Sequence, residues 1–219
     1  MEDKYAVIFA NGELHFPKKI REIAEGADLV VAADGGLRHL FELGLTPHLL
    51  IGDLDSVTTD EVERARSLGC EVRQFPEEKD ETDLELALLA TAAAGYTRIL
   101  ILSALGGRLD QTLANIYLLN MPQLDRIDVR IDDGKTEVIL FCAAVELKGT
   151  PGDTVSLLPL SPIVSGITTE GLKYPLTNES LVFFQSRGVS NVLLGTQARV
   201  SLESGILLCI HIRQQEEEE

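Results

Sequence analysis

The fold is decided by residues 27–56, which read ADLVVAADGGLRHLFELGLTPHLLIGDLDS. An apolar run at Asp28–Ala33 is followed at once by Asp34-Gly35-Gly36, a sequence typical of the turn from a buried strand into a helix. Residues Leu37–Leu43 then have the apolar spacing of an amphipathic helix, and His48–Ile51 form a second short apolar run. A strand, a helix and a strand in this order predict a crossover connection between two parallel strands.

The same alternation of short apolar runs and amphipathic stretches extends through residue 119. Strands are predicted at Tyr5–Ala10, Asp28–Ala33, His48–Ile51, Glu71–Phe75 and Arg98–Leu102. Helices are predicted at Lys18–Glu25, Leu37–Leu43, Thr59–Leu68, Asp83–Ala94 and Leu109–Leu119. The stretch Thr59-Asp60-Glu61 is typical of a capped, acidic first turn of a helix. We therefore expect an α/β domain over residues 1–123, with a mostly parallel sheet and helices on both of its faces.

The pattern changes after Met121-Pro122, where the helical spacing ends and turn residues become frequent. Short strands are predicted at Arg126–Ile131, Glu137–Phe141, Val145–Lys148, Thr154–Leu158, Ile163–Thr169, Val189–Leu194, Arg199–Leu202 and Ile206–Ile212. Many short strands separated by turns that contain Pro or Gly are typical of an all-β domain, and we expect a sandwich over residues 124–215. Glu216–Glu219 form an acidic tail to which the sequence assigns no role.

Composition and charge exclude several classes of protein. Hydrophobic residues make up 45% of the 219 residues, which is enough to fill a core and argues against a disordered chain. The formal net charge is -16, and so acidic a surface is unsuited to nucleic acid or to an anionic membrane. No stretch approaches the ~18 apolar residues of a membrane span. Cys70, Cys142 and Cys209 are scattered without metal-binding spacing, so we expect a cytoplasmic protein with reduced thiols.

Glycine and acidic residues follow the predicted strands of the α/β domain. In chain order the segments are Asn11-Gly12, Asp34-Gly35-Gly36, Gly52-Asp53-Leu54-Asp55-Ser56, Lys79-Asp80-Glu81-Thr82-Asp83 and Gly106-Gly107-Arg108-Leu109-Asp110. Because the carboxyl ends of parallel strands meet at one edge of a sheet, we expect these residues to converge there. Converging carboxylates repel one another unless a cation joins them, and Mg²⁺ prefers carboxylate and phosphate oxygens. The sequence therefore predicts Mg²⁺ and a phosphate-bearing substrate, with glycine N–H groups and Arg108 as phosphate contacts.

Asp53 and Asp55 are the strongest metal candidates in this set. They flank Leu54, and in an extended segment both carboxylates would point the same way, as a metal site needs. The same residues leave a second enzyme class open, because an apolar strand followed by Asp53-Leu54-Asp55 resembles the nucleophile loop of haloacid-dehalogenase-like phosphatases. In such an enzyme Asp53 would form an aspartyl-phosphate and Asp55 would act as acid and base. That loop usually comes first in the chain, whereas two predicted strands precede it here.

Simpler interpretations remain open for the other residues at this edge. They are a turn residue at Asp34, a helix cap at Asp80 or Thr82, a helix-dipole contact at Asp83 and a surface ion pair of Arg108 with Asp110. A regulator that binds nucleotide without turnover is a further alternative, although five carboxylates exceed what binding needs. The sequence has neither a P-loop nor a Gly-x-Gly-x-x-Gly dinucleotide fingerprint after the first strand, which excludes those two types of site.

Six motifs, taken in order, resemble those of the thiamin pyrophosphokinase (thiamin diphosphokinase) family. They are Ala33-Asp34-Gly35-Gly36, Gly52-Asp53-Leu54-Asp55-Ser56, Lys79-Asp80-Glu81-Thr82-Asp83, Gly106-Gly107-Arg108-Leu109-Asp110-Gln111, Gly171-Leu172-Lys173-Tyr174-Pro175-Leu176 and Ser190-Asn191. Their order and spacing match as well, and the resemblance covers the chain apart from the acidic tail. Gln111 departs from the bacterial pattern, in which His is frequent, and this puts an essential proton transfer at that position in doubt.

The resemblance implies an N-terminal α/β domain, a C-terminal β-sandwich and Mg²⁺-dependent transfer of a pyrophosphoryl group from ATP to thiamin. It also implies a homodimer with shared sites, in which thiamin lies between the α/β domain of one subunit and the β domain of the other. The implied catalytic residues are Asp34, Asp53, Asp55 and Asp83, of which Asp53, Asp55 and Asp83 would hold the metal. The implied ATP contacts are Asn11, Asp34, Gly35, Gly106, Gly107, Arg108, Asp110 and Gln111. The implied thiamin contacts are Thr82, Asp83, Tyr174, Ser190 and Asn191, with the Tyr174 ring facing a cationic ligand.

Overall fold

The computed structural model describes residues 4–214, which fall into two compact units, Met1–Gly134 and Lys135–Glu219. The acidic tail Glu216–Glu219 lies outside the described residues. Across residues 4–214, the helices all lack the combination of length and apolar character that spanning a bilayer requires. The three cysteines have free thiols; Cys70 and Cys209 are buried, and Cys142 is exposed.

The first unit is a parallel α/β structure, as predicted. Its strands are β1 (Tyr5–Phe9), β2 (Leu29–Ala33), β3 (Leu49–Gly52), β4 (Glu71–Gln74), β5 (Arg98–Leu102) and β6 (Asp128–Asp132), hydrogen-bonded in the order β6-β5-β1-β2-β3-β4. Its helices are α1 (Pro17–Glu25), α2 (Gly36–Glu42), α3 (Thr59–Ser67), α4 (Asp83–Ala93) and α5 (Leu109–Leu118), and a short 3-10 helix covers Pro122–Leu124. Neighbouring strands run parallel, with Val7 of β1 opposite Val30 on one side and Leu100 on the other.

Strand β1 is the centre of this unit and is enclosed on both faces. Ala6, Val7, Ile8 and Phe9 are each 0% exposed, which is typical of a parallel strand covered by helices on both sides of the sheet. Val7 and Phe9 belong to one apolar cluster with residues of α1, α2 and α3, while α4 packs against β1, β2 and β3 outside that cluster. Each large aliphatic side chain buried in this way contributes about 1.5–3 kcal/mol to stability.

Side-chain caps determine where two of the helices begin. Thr58 caps α3, because its hydroxyl accepts a hydrogen bond from the Glu61 N–H at 3.2 Å while the Glu61 carboxylate accepts one from the Thr58 N–H at 2.7 Å. The sequence placed this capped turn one residue later, at Thr59. Thr82 caps α4 by accepting a hydrogen bond from the Glu85 N–H at 3.2 Å. The second cap makes Asp83 the first residue of α4, at the carboxyl end of the sheet.

Strand β6 belongs to the parallel sheet, whereas the sequence analysis grouped Arg126–Ile131 with the strands of the β domain. Its register with β5 is parallel, from Arg98 opposite Asp128 to Leu102 opposite Asp132. Only the short 3-10 helix lies between α5 and β6, and the amino-acid pattern after it is already that of the β domain. For this reason composition groups β6 with the strands that follow it. The first compact unit therefore continues to Gly134, beyond the composition change at residues 121–125.

The second unit is a sandwich of two antiparallel sheets, as predicted. Its strands are β7 (Thr136–Phe141), β8 (Ala144–Lys148), β9 (Thr154–Pro159), β10 (Ile163–Glu170), β11 (Glu179–Val182), β12 (Asn191–Val192), β13 (Gln197–Ser201) and β14 (Leu207–Ile212). Within this unit one sheet has the order β12-β9-β14-β7 and the other has the order β11-β10-β13-β8. Residues of both sheets form a single buried cluster, which includes Leu147, Leu157, Val164, Val200 and Leu207.

Two strands of the second unit differ from the prediction. Strand β11 was not predicted, because Glu179–Val182 has two polar residues followed by two apolar ones, which is neither an apolar run nor an alternation long enough to indicate a strand. The predicted strand Val189–Leu194 shrinks to Asn191–Val192, since Ser190 adopts a left-handed conformation with φ 63° and interrupts the extended chain.

A buried histidine between two acidic side chains lies inside the second unit. His211 is 0% exposed; its Nε2 lies 2.8 Å from Asp153 Oδ2, and its Nδ1 lies 3.5 Å from Glu137 Oε2. Burial by itself would lower the pKa of His211, but the two acidic side chains, Glu137 and Asp153, outweigh it and raise the pKa. Burial would likewise raise the pKa of Asp153, yet hydrogen bonds from the Thr150 and Gln214 N–H groups and from His211 hold that pKa below its ordinary value.

Because the pKa of His211 is raised in the folded protein, its charged form stabilises the fold below pH ~6.5 and this contribution fades as the pH rises through the folded pKa. We expect His211→Gln to lower the free energy of unfolding by about 3 kcal/mol at pH 6 and by less at pH 9. Urea unfolding followed by circular dichroism measures this, since the chain has no Trp. His15→Gln, at an exposed position, is the matched control. An equal loss for His211→Gln at both pH values would contradict the ion pairs.

Candidate active site

A cavity of about 720 Å³ lies at the carboxyl ends of the parallel strands in the first unit. The strand order reverses there, because the chain adds β2, β3 and β4 on one side of β1 and β5 on the other. Open α/β sheets bind ligands at such a switch point. The residues predicted from the sequence that line this cavity are Asn11, Asp34, Asp53, Asp55, Thr82, Asp83, Gly106, Gly107, Arg108 and Gln111. The strand ends thus bring these side chains and glycines to one surface.

Three carboxylates form a cluster in this cavity. Asp34 follows β2, Asp53 follows β3 and Asp83 opens α4, and one carboxylate oxygen from each lies within 4.8 Å of the other two. Asp34 is 7% exposed, so the cluster is partly withdrawn from water. Oxygen donors at this spacing are the ligand type that Mg²⁺ takes, and these three residues fit a hard divalent cation.

Gly52 leaves the space in which the carboxylates of the cluster meet. It has φ 151°, and a Cβ at this position would lie 3.0 Å from the Asp83 carboxyl carbon and 3.1 Å from Asp34 Cβ. A larger residue would therefore push both acidic side chains away from Asp53. Glycine is therefore favoured at the end of β3 for two reasons: its φ angle is one that other residues rarely adopt, and any side chain there would crowd the carboxylates.

Lys79 forms ion pairs with two members of the cluster. Its Nζ lies 2.9 Å from Asp53 Oδ2 and 3.0 Å from Asp83 Oδ1, and its side chain is only 10% exposed. The hydrogen bond from Lys79 is the main cause that lowers the pKa of Asp53. Burial raises the pKa of Asp83, with Lys79 opposing it and the Asp53 charge adding to it. Burial alone would lower the pKa of Lys79, but its hydrogen bonds to the two carboxylates raise it.

Asp55 is not a member of the cluster, and the segment Asp53-Leu54-Asp55 is not extended as expected. Leu54 has φ 67°, a left-handed conformation that turns the chain between the two acids. Asp53 Oδ1 accepts a hydrogen bond from the Asp55 N–H at 3.2 Å, and Asp55 Oδ1 accepts one from the Ser56 hydroxyl at 3.0 Å. Asp55 therefore lies on the cavity wall while Asp34 takes the third position near Asp53 and Asp83.

Asp34 lies in a turn, as one of the open interpretations held. Its φ is 45°, and its carboxylate accepts a hydrogen bond from the Ser56 N–H at 3.4 Å across to the loop after β3. Gly35, the residue before α2, packs directly against Asn11, whose side-chain atoms would lie 2.5 Å from a Cβ at that glycine. The ends of β1, β2 and β3 are thereby held together beneath the cavity.

The glycine-rich loop after β5 already binds an acidic group. Gly106 and Gly107 have φ 82° and 64°, and the Gly107 N–H donates to Glu13 Oε1 at 3.3 Å. A backbone N–H that binds a carboxylate can also bind a phosphate oxygen. Arg108 lines the cavity but pairs with Asp110 at 2.6 Å, and both side chains are well exposed, as the ion-pair interpretation predicts.

Two of the thiamin candidates of the second unit, Tyr174 and Asn191, are hydrogen-bonded to each other. The Asn191 side chain accepts a hydrogen bond from the Tyr174 N–H at 2.9 Å and donates one to the Tyr174 carbonyl at 2.7 Å, so it holds that backbone as a neighbouring strand would. Asn191 is buried, whereas the Tyr174 ring is 59% exposed. Ser190 precedes Asn191, and its N–H donates to the Ser156 hydroxyl at 3.1 Å.

Sequence reasoning assigned no role to several side chains of the cavity, among them Lys79, which stood in one of the expected segments, and Glu13, which did not. Lys79 stands four residues before Asp83 and beside other acidic residues, and this spacing is a sequence signal for an ion pair. Glu13 gave no such signal, because its contact with Gly107 joins residues far apart in the chain.

Two family models match the chain. One is described as the catalytic domain of thiamin pyrophosphokinase and matches residues 20–131. The other is described as the vitamin B1 binding domain of thiamin pyrophosphokinase and matches residues 144–207. Together they take in both compact units.

Individual relatives agree with the family models. The thiamine pyrophosphokinase of Bacillus subtilis (strain 168) is 29% identical over 206 residues, which cover 93% of this chain and 96% of the relative. The crystal structure of the Bacillus subtilis thiamine pyrophosphokinase superposes with a TM-score of 0.86 at 28% identity, covering 97% of this chain and 100% of that one. The structure of a thiamin pyrophosphokinase from Geobacillus thermodenitrificans gives a TM-score of 0.79 at 28% identity, covering 97% and 99%.

The close approach at Gly52 predicts the outcome of a substitution there. We expect Gly52→Ala to weaken Mg²⁺ binding at least tenfold and to cost about 1–3 kcal/mol of stability, because the new Cβ strains the backbone and displaces Asp34 and Asp83. Gly69→Ala is the matched control: its φ of 92° is also strained, but a Cβ there meets nothing within 4 Å. Calorimetric titration with Mg²⁺ and thermal unfolding separate the two effects. Equal metal affinity in the two variants would contradict the role of Gly52.

Proposed function

This chain belongs to the thiamin pyrophosphokinase family, whose members transfer a pyrophosphoryl group from ATP to thiamin, and we propose that the cavity of its first unit carries out this transfer with Mg²⁺. The observation that carries the proposal is the cluster of Asp34, Asp53 and Asp83 at the carboxyl edge of the sheet. The haloacid-dehalogenase-like and regulatory alternatives are set aside, because the matching family is that of a kinase acting on thiamin.

The metal ligands in this proposal are carboxylates. Asp53 and Asp83, with Asp34 beside them, have the oxygen donors and the spacing that suit Mg²⁺. Asp55, also expected as a ligand, lies on the cavity wall outside the cluster. When bound, Mg²⁺ would offset the negative charge that gathers on the triphosphate during transfer.

The reaction forms one bond and breaks another. The thiamin hydroxyl oxygen bonds to the β-phosphorus of ATP. The bond from that phosphorus to the oxygen that joins it to the α-phosphorus breaks, and AMP leaves with the electron pair. The hydroxyl proton needs an acceptor, and we propose Asp55, which among the four catalytic carboxylates implied by the family resemblance lies outside both the cluster and the Lys79 pair. Positioning and electrostatics of the site supply most of the rate in such transfers.

The nucleotide contacts in this proposal include the glycine-rich loop after β5. Gly106 and Gly107 would offer N–H groups to phosphate oxygens, in the way that Gly107 now donates to Glu13. Arg108 would exchange its ion pair with Asp110 for a phosphate, a change that costs little because both side chains are exposed. The remaining proposed ATP contacts are Asn11, Asp34, Gly35, Asp110 and Gln111.

The proposed thiamin contacts come from both compact units. Thr82 and Asp83 lie at the cavity of the first unit, and Tyr174, Ser190 and Asn191 belong to the second. The exposed Tyr174 ring suits a cationic ligand, while Asn191 would act by holding the Tyr174 backbone in place. We propose a homodimer in which the two units of a site come from different subunits, acting in the cytoplasm, where free thiols such as those of this chain persist.

The metal proposal predicts the effect of two substitutions. Asp53→Asn and Asp55→Asn should each lower turnover at least about 100-fold, since the first removes a metal ligand and the second the proton acceptor. Formation of AMP and thiamin diphosphate is followed by chromatography with ATP and Mg²⁺, with and without thiamin. Asp80→Asn, at an exposed neighbouring acid, is the control and should stay close to wild type. Near-normal rates in either active-site variant would overturn the role proposed for that residue, and AMP formed without thiamin would overturn the reaction.

The shared-site proposal predicts complementation between inactive chains. We mix Asp53→Asn chains with Tyr174→Ala chains, each expected to be nearly inactive alone, under conditions that exchange subunits. A mixed dimer then has one site with both lesions and one site with neither. Half of the dimers are mixed and half of their sites are intact, so activity should recover to about a quarter of wild type. If subunit exchange is verified by mass spectrometry and no activity returns, each site lies within one chain.

A further inference from the structure

Lys79 takes the place of a metal ion in the carboxylate cluster. We propose that Lys79 is an exchangeable counter-ion, whose ammonium offsets part of the negative charge of the cluster in the metal-free protein and leaves it when a divalent cation binds. Lys79 is thus a positioning residue, which keeps Asp53 and Asp83 together until the metal arrives. This inference rests on the metal site proposed above.

The contacts of Lys79 are those that a metal ion needs. Its ammonium binds one oxygen of Asp53 and one of Asp83, at 2.9 and 3.0 Å, and both residues also belong to the three-carboxylate cluster. Two unit charges of the same sign at this separation repel strongly near a protein surface, and a divalent ion doubles this repulsion. An ion that binds these carboxylates is therefore strongly opposed by an ammonium that stays among them.

The cavity has other acidic side chains toward which the released ammonium can move. Lys79 lies in the loop between β4 and α4 and lines the cavity, together with the acidic residues Glu77 and Glu81. A lysine side chain has a flexible four-carbon stem, so its ammonium can move several ångströms without any change in the backbone. The cavity can thus keep the lysine charge close to the site after the cluster has released it, where bound phosphates would also attract it.

The loop does not need Lys79 to hold its end at α4. Thr82 caps the helix through the Glu85 N–H at 3.2 Å, and the Lys79 N–H donates to the Glu77 carbonyl at 3.1 Å. These bonds involve the backbone and the Thr82 hydroxyl, and they persist whichever way the Lys79 side chain points. A structural lysine would keep its two carboxylate contacts with the metal bound, and this difference can be measured.

Chemical modification of the full-length wild-type chain tests the exchange. The protein is treated with limiting acetic anhydride, once with EDTA and once with saturating MgCl₂, and acetylation at each lysine is measured by mass spectrometry. Lys18, which is exposed, is the internal reference. We expect Mg²⁺ to raise the acetylation of Lys79 relative to Lys18 by roughly tenfold, because the ammonium loses its two carboxylate partners. Unchanged protection of Lys79 overturns the exchange.

Calorimetric titration with MgCl₂ separates failure of this inference from failure of the metal site. If the wild-type protein binds no Mg²⁺, both the metal site and the exchange are overturned. If it binds Mg²⁺ while Lys79 stays protected, only the exchange is overturned, and the metal site stands.

Two variants give an independent reading of the competition. Lys79→Met removes the competing charge, so it should bind Mg²⁺ about tenfold more tightly than wild type, although it has lost a contact of the site. Lys79→Arg keeps the charge and should bind Mg²⁺ no more tightly than wild type. Equal or weaker Mg²⁺ binding by Lys79→Met overturns the exchange. Circular dichroism shows whether each variant folds, and if Lys79→Met does not fold, the modification of the wild-type chain decides.

Discussion

Like charges that are held together must be neutralised, and the first unit is built around this constraint. The carboxylates of Asp34, Asp53 and Asp83 lie within 4.8 Å of one another and partly out of water, where repulsion is stronger than at an open surface. A parallel sheet brings them together because successive strands all end at the same edge. Lys79 satisfies the constraint in the structure described here, with Nζ at 2.9 and 3.0 Å from two of the three residues.

The backbone around the cluster is strained, and the strands beneath it absorb the cost. Asp34, Gly52 and Leu54 have φ values of 45°, 151° and 67°, within two short turns at the ends of β2 and β3. For a residue other than glycine, each such conformation costs about 1–3 kcal/mol. The strands that lead into these turns are almost completely buried, as Leu50 and Ile51 are, at 0% and 1% exposed. A site of strained turns is stable here because it stands on a core that cannot shift easily.

The sequence predicted most of the fold, because the signals for the helices and the first five strands are local. Apolar spacing and capping residues placed these elements within one or two residues of their observed ends. Strand β6 was grouped with the wrong half, since its identity depends on hydrogen bonds to β5. Asp55 was expected beside Asp53, but a single left-handed residue, Leu54, redirects it, and no apolar pattern encodes that angle. Lys79 stood in one of the expected segments without an assigned role, since its contact with Asp53 joins two different loops, and Glu13 was missed because Gly107 is far from it in the sequence.

The two buried ion clusters of this chain show how exposure decides what a counter-ion can do. His211 lies between Asp153 and Glu137 with 0% of its surface exposed, and Arg213 also pairs with Glu137 at 3.5 Å, so exchange of the imidazole for a cation from solvent would require the core of the second unit to open. Lys79 makes contacts of similar length, but its carboxylate partners border an open cavity of about 720 Å³. A counter-ion that is sealed in the core contributes to stability, and it changes only with the protonation of the group itself. A counter-ion at the wall of a cavity can be replaced by any cation that binds the same oxygens more tightly. There the same kind of ion pair, which only stabilises the fold when it is sealed in a core, becomes part of ligand binding.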